Sequence, residues 1–424
     1  MIKIKPEHTA RLINIVLRLA TLTAKLVLTL YMGRYLSLSD LGVYGLVSGT
    51  VIILTTVLGI RFDYVVSRDL VGATPAVAFA KMRDQAVFYG LNHLALAAIM
   101  GILVLTDVTG ISSKIMFVIF MLSVLESVAN MTFLNINSMG RPLVATMLFF
   151  IRSGLWVLPV VGLGLFIPML RNSDAVFGFW ALGVSASLVA TVWVWRSMPW
   201  RVLISAPIDW GWIKKGIARC SFIWLGSLGG SAGFYVDRFI VAHNLGLELA
   251  GVATFYSSFT TALYALVQSG VLAFAYPRLI LLHQNDDKAG FRREVRSQSW
   301  HVALLAGVIA IGLGFIVPLL GEFFHRPILT NEAPTLWLML FGMWMQANAS
   351  TLYYILFAKH QDRVIWLGDL LYLIPAFGCN AILVPLIGFR GIGYGSIVAS
   401  LFILLWRGWH VWHTWAQPAA KQAS

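Results

Sequence analysis

The stretch "LSLSDLGVYGLVS", residues 36–48, returns 209 residues later as "LGLELAGVATFYS", residues 245–257. Leu36, Leu38, Gly42, Val43 and Ser48 align with Leu245, Leu247, Gly251, Val252 and Ser257. One residue of slip further on, Arg68 in "VVSRDL" meets Arg278 in "AYPRLI". Similarity at a fixed offset marks a duplicated architecture. Each block opens the second of a series of long apolar segments, so the offset spans six of them. An even number returns the chain to the same side of a bilayer, which makes the repeats parallel and relates them by an axis along the membrane normal.

That the segments are membrane helices is a consequence of composition. The chain has 424 residues, 59% of them hydrophobic and 12% charged, with a mean hydropathy of +0.80. Twelve apolar segments are long enough to span, at roughly 11–31, 41–61, 86–106, 114–136, 143–168, 175–196, 219–242, 250–272, 299–321, 333–357, 364–388 and 391–413. The expected fold is an all-α polytopic membrane protein in two pseudo-symmetric six-helix lobes. The N-terminal lobe takes 1–196, a cytoplasmic linker 197–215 and the C-terminal lobe 216–424. The two cysteines, Cys220 and Cys379, stand in no CxxC or Cys/His spacing, so no disulfide framework or metal site is expected. No Walker A sequence is present, so a fused ATPase is not expected. Energy must come from an ion gradient, a partner or the substrate gradient.

The net charge of +13 reflects topology and carries no suggestion of nucleic acid. With the N-terminus in the cytoplasm, 22 of the 31 Lys and Arg fall on cytoplasmic segments and five (Arg34, Lys114, Arg171, Arg326, Arg390) on external loops. Both termini are therefore expected in the cytoplasm of a multi-pass inner-membrane protein. The remaining four, Arg18, Lys25, Arg152 and Arg238, lie inside segments.

In the first segment Arg11, Asn14, Arg18, Thr21 and Lys25 are spaced 3, 4, 3, 4, the period of one helical face. At 1.5 Å per residue Lys25 lies about 20 Å from the cytoplasmic start, too deep to snorkel. Each unpaired central charge costs roughly 2.5–3.5 kcal/mol on insertion scales. Glu126 and Arg152, on sequential segments joined by a short turn, read as a buried pair at mid-depth. Asp369 sits nearer the cytoplasmic side of its segment, and Asp237–Arg238 near the external end of theirs; these three read as gating or structural charge pairs. Three mid-depth cations against one acid leave about two positive charges unmatched. Such a cavity favours an anion, and a diphosphate supplies the matching charge with acceptor oxygens. Tyr264 and Gln268 continue a neutral stripe from Ser257 and Thr261, suited to sugar hydroxyls or to interhelical hydrogen bonds. Gly226, Gly229, Gly230 and Gly233 predict close helix packing. Lys288, Arg292 and Arg296 read either as a basic amphipathic helix on the inner leaflet or as a solvated loop. His410 and His413, set among tryptophans, read as interfacial residues.

Three stretches carry a family resemblance. "GRYLSLSDLGVYGLVSG" resembles the connection between helices 1 and 2 of polysaccharide-biosynthesis membrane proteins. "YVDRFIVAHNLGLELAGVATFYSS" resembles their helix 7–8 block, with Asp237, Arg238, Gly246 and Gly251 in place. "CNAILVPLIGFRGIGYGSIVAS" resembles their helix 11–12 signature through Asn380, Pro385, Gly388 and Gly391. Together these resemble Wzx-type flippases of the MATE/MOP superfamily. The resemblance implies a V-shaped pair of lobes that alternates between inward- and outward-open states. It implies transport of polyprenyl-diphosphate-linked oligosaccharides to the periplasm for O-antigen, capsule or exopolysaccharide synthesis, with cavity cations, Arg18 and Lys25 among them, on the diphosphate. Membrane lipids, a polysaccharide polymerase and a chain-length regulator are the partners such a role brings. No cofactor is implied, and the coupling ion, H+ or Na+, is left open. Two alternatives stand beside it. A cation-coupled exporter of small molecules should show an acidic cavity, and a membrane enzyme acting on the lipid-linked glycan should show a large external loop.

Overall fold

In oil, every backbone N–H and C=O must be satisfied within its own segment, which favours helices. The computed structural model describes residues 6–198, 200 and 207–416, and among these no strand occurs. Residues 199 and 201–206 of the expected linker lie outside the described residues, as do Lys3, Lys5 and Lys421. The first helices are α1 (Pro6–Tyr35), α2 (Leu38–Gly59), the short α3 (Asp63–Leu70), α4 (Pro75–Thr106) and α5 (Ser113–Ser138). Then come α6 (Pro142–Phe150) and α7 (Val157–Phe166), joined by a π-turn at Ile151–Leu155, and α8 (Ser173–Val194). The chain continues through α9 (Trp210–Leu245) and α10 (Leu247–Val267), a second π-turn at Gln268–Leu272, and α11 (Ala273–Gln284). It closes with α12 (Lys288–Phe323), α13 (Pro327–Asn331), α14 (Ala333–Ala358), α15 (Asp362–Ile387) and α16 (Arg390–Ala416).

Among the described residues, ten helical stretches are long and apolar enough to cross a membrane. Helices α9 and α14 have the length, 36 and 26 residues, but are more polar. Helix α9 carries Lys214, Lys215, Arg219, Asp237 and Arg238, and α14 carries Gln346, Asn348, Ser350 and Thr351. Large apolar side chains elsewhere face outward: Val189 is 71% exposed and Leu386 73%. Against lipid that arrangement is favourable, whereas in water it would be an aggregation surface.

The chain forms two compact units, Met1–Leu36 with Leu46–Trp224, and Ser37–Gly45 with Leu225–Ser424. In the first, Phe62, Val66, Leu70, Phe79, Met82, Phe88 and Ile213 build a buried cluster around α3. Trp212 meets Phe62 edge-on at 5.1 Å and donates its indole N–H to Asp69 at 2.7 Å. Trp224 donates to the Thr56 carbonyl at 3.0 Å. These contacts tie Trp210–Trp224, placed with the linker and second lobe on sequence grounds, to the first unit.

In the second unit α14 packs on α16 and α12, and α15 on α16. The glycines of α9 lie on α15. A methyl at Gly226 would strike Trp366 backbone, one at Gly229 the Leu370 backbone, and one at Gly233 the Tyr372 ring. Two turn glycines have positive φ, Gly246 at 89° and Gly388 at 69°, where a Cβ is strained. The residues matched by the repeat, Gly42 and Gly251, meet back to back. A Cβ on Gly251 would overlap the Leu38 carbonyl oxygen, and one on Gly42 the Leu247 carbonyl oxygen. Since backbone cannot swing aside as a side chain can, Gly251→Val is expected to destabilise the unit by roughly 1–3 kcal/mol or more. Thermal unfolding in detergent measures it; a midpoint equal to wild type would show that the helices do not approach this closely.

The basic stretch from Lys288 differs from expectation. It is neither a separate interfacial helix nor a loop, but the first turns of α12, which runs unbroken to Phe323. Phe291, Val295, Gln298 and Val302 form its buried face, and the Asp287 side chain caps it by accepting the Gly290 N–H at 2.8 Å.

Candidate functional site

Two cations of the first unit, Arg152 and Lys25, gather around Glu126. Ser123, Glu126 and Ser127 lie on the buried side of α5, and Arg152 is delivered by the π-turn. A π-turn adds one residue to a helical turn and rotates the residues beyond it, a device found frequently at functional sites. Arg152 Nε stands 2.5 Å from Glu126 Oε2, with both side chains about nine-tenths buried. The other carboxylate oxygen accepts the Trp180 indole N–H at 2.7 Å, and Trp180 stacks on Trp156 at 6.4 Å. Arg152 Nε is not aimed for a hydrogen bond, and Arg152 Nη1 has no acceptor in the protein.

Helix α1 lies against α6, α7 and the π-turn. Lys25 is within electrostatic range of Glu126 and Arg152, yet its side chain is exposed. Among the described residues no carboxylate oxygen comes within 4 Å of Lys25 or Arg18. Glu126 is fully engaged by Arg152 and Trp180. Arg18 is exposed, and Asn14 Oδ1 is enclosed without a partner. The stripe is not continuous, however. Thr21 is 4% exposed, stands over Gly154 of the π-turn, and donates its hydroxyl to the Leu17 carbonyl at 2.8 Å. It is a packing residue, because the glycine lets the π-turn approach α1 at that point.

In the second unit, Asp369 and Arg407 form a partly buried ion pair at 2.6 Å, with Arg407 the more enclosed partner. Arg407 also donates to the Ala349 carbonyl at 3.1 Å and lies over the Tyr353 ring. The sequence alone does not single out Arg407, because its place within "WRGWHVWHTW" reads as a cytoplasmic end. The available signal was Asp369, an acid within an apolar helix that needed a neighbour of opposite charge. Trp180 was missed likewise, since membrane tryptophans suggest interfaces first. Asp237 and Arg238 do not pair with each other through their side chains. Adjacent residues on a helix point about 100° apart. The contact between them is the Arg238 backbone N–H donating to Asp237 Oδ1 at 2.8 Å, while the guanidinium lies over Tyr235.

Asp237 instead lines a small cavity of about 50 Å³ with Ser257, Thr260, Gln346, Asn380 and Ser396. Gln346 Oε1 and Asn380 Oδ1 have no donor in the protein. Tyr264 and Gln268 belong to a relay beside the second π-turn. The Tyr354 hydroxyl donates to Gln268 Oε1 at 3.1 Å, Gln268 Nε2 donates to the Tyr264 hydroxyl at 2.7 Å, and that hydroxyl lies 3.0 Å from Ser350 Oγ. The relay satisfies itself while staying partly exposed.

Charge is thus divided unequally. Arg238 and Arg407 in the second unit are matched in number by Asp237 and Asp369, whereas in the first Arg152 and Lys25 share Glu126 and Arg18 has no carboxylate within 4 Å among the described residues. The described residues contain no group of three or more His, Cys, Asp or Glu placed to hold a metal.

No family model and no curated protein matches the sequence. Solved structures do resemble this one. A multidrug resistance MATE family transporter of the MOP superfamily, in its inward-facing conformation, superposes with a TM-score of 0.72 at 13% identity, covering 96% of this chain and 99% of its own. The lipid II flippase MurJ, inward closed, gives 0.68 at 10% identity over 94% of this chain and 87% of its own. A MOP superfamily transporter from Pyrococcus furiosus, described by the reverse polarity of its binding pocket, gives 0.58 at 11% identity over 96% of both chains. The chain therefore has the all-α, multi-span fold that MATE transporters and the lipid II flippase MurJ share.

Proposed function

We propose that the protein is a flippase for polyprenyl-diphosphate-linked oligosaccharides, moving them from the cytoplasmic to the periplasmic leaflet of a bacterial inner membrane by alternating access. The observation that carries this reading is the cation excess of the first unit. Lys25 and Arg18 are exposed without a carboxylate, and Arg152 holds a buried donor with no protein acceptor. A diphosphate offers about two negative charges and several acceptor oxygens, which fits that set better than a neutral sugar or a cationic drug. Lys25 and Arg18 hold the diphosphate, Arg152 fills its free donor from it, and Asn14 accepts from the headgroup. Tyr264 and Gln268 exchange their internal bonds for sugar hydroxyls. Export for O-antigen, capsule or exopolysaccharide assembly, working with a polymerase and a chain-length regulator, is the pathway this substrate implies.

A coupling cation fits the second unit. Asp237 and the two orphaned amide oxygens are hard acceptors, suited to Na+, and the carboxylate alone is suited to a proton. The same cavity also supports the second reading, a cation-coupled exporter of small molecules. Proteoliposomes separate them. Wild-type protein should translocate a fluorescent polyprenyl-diphosphate oligosaccharide and leave ethidium unmoved, and Asp237→Asn should remove any acceleration by a Na+ or proton gradient. Ethidium transport without glycolipid transport would establish the exporter instead.

A further inference from the structure

The basic start of α12, which the proposed transport path does not use, forms one wall of a groove. Arg292, Val295, Arg296, Ser299, Trp300 and Ala303 recur at intervals of three and one, so they share one face over about 16 Å. Together with Asn348 of α14 they line an open groove of about 780 Å³, wholly within the second unit.

The groove is graded along its length. Arg292 and Arg296 stand one turn apart at one end, both exposed, with no carboxylate within 4 Å among the described residues. Glu294, the acid of this stretch, is on another face, 3.2 Å from Arg278. Partial burial, with the Arg292 charge beside it, holds the Lys359 ammonium down to about 8. Further along, Trp300 presents a ring that is 67% exposed. At the far end the Ala303 carbonyl accepts the Trp344 indole N–H at 2.9 Å, leaving an apolar floor. Beyond it Leu304, Val308 and Ile311 face outward.

A cationic mouth opening onto an aromatic and aliphatic track has the polarity of an anionic amphiphile. The basic loops place this end of α12 at the cytoplasmic surface, where anionic headgroups concentrate. We propose that this groove binds an anionic phospholipid of the inner leaflet, its phosphate between Arg292 and Arg296 and an acyl chain along Trp300 and Ala303. The site lies in a different unit from the Lys25 cluster and takes a resident lipid, not the transported one.

Native mass spectrometry of the purified full-length protein tests it, with dioleoylphosphatidylglycerol and dioleoylphosphatidylcholine as probes. Wild type should retain the anionic lipid about tenfold better than the zwitterionic one. Arg292→Gln with Arg296→Gln should bring that preference to about twofold or less. Lys288→Gln with Arg293→Gln, which removes the same charge off the groove, should leave it intact. Ala303→Trp, which fills the track and keeps both arginines, should also lower it. Glycerol 3-phosphate at equal concentration should not displace the lipid. Undiminished preference in the Arg292/Arg296 variant overturns the proposal. So does equal loss in the Lys288/Arg293 variant, which marks diffuse attraction, or displacement by glycerol 3-phosphate, which marks a soluble phosphate.

Discussion

Lys25→Ala is expected to reduce glycolipid translocation by about 10- to 100-fold, with the protein still folded and inserted. A hydrogen bond to a charged group contributes about 1.5–3 kcal/mol, and each 1.4 kcal/mol is tenfold in an equilibrium. Lys25 is exposed, and no carboxylate within 4 Å depends on it, so its removal leaves no buried charge behind. The folded state should be no less stable, and the loss should fall on substrate. Lys25→Arg keeps the charge and should retain most activity. Arg18→Ala, nearer the N-terminal end of α1, should have the smaller effect of the two. Surface-glycan export by cells, scored beside membrane expression level, measures all three. Full export by Lys25→Ala would remove the residue from the substrate site.

Glu126 gives the second large effect, and on a different quantity. Its side chain and that of Arg152 are 10% and 11% exposed. Removing one member of a buried ion pair strands the other, which costs about 3–5 kcal/mol. Glu126→Ala should therefore lower the unfolding midpoint steeply and take export down with it through lost protein. Trp180 also loses its acceptor, which adds to the cost. The double variant Glu126→Leu with Arg152→Met replaces the pair by apolar groups of similar size, and such replacements are often neutral or stabilising. The expected result is recovered stability without recovered export. If export returned as well, Arg152 would be structural only.

How much of this was legible depended on range. The two glycines aligned by the sequence repeat do meet one another: one contact holds Gly42 and Gly251 to the same residue type. The charged face of α1 was half readable. A period of 3.6 places residues on a common face but gives no sign of which part of it a neighbour will cover. Thr21 was lost to the π-turn at Gly154, and π-turns carry no sequence signature because they depend on packing around an added residue. The pairing of Asp369 with Arg407 joins two helices across 38 residues, so neither partner identifies the other locally. Helix α12 could have been read better. Nothing between Phe291 and Ala306 breaks a helix except the charge pattern, and charge alone does not end a helix.

The proposed function rests on recognition of a diphosphate by the cations of the first unit. Equilibrium binding of undecaprenyl diphosphate and undecaprenyl monophosphate to purified protein tests it most directly, in wild type and in Arg18→Gln with Lys25→Gln. Wild type should favour the diphosphate by about tenfold or more, one additional charge-assisted contact, and the double variant should bind both lipids alike. Equal affinity for both lipids in wild type, or an undiminished preference in the double variant, would show that these cations do not recognise the diphosphate.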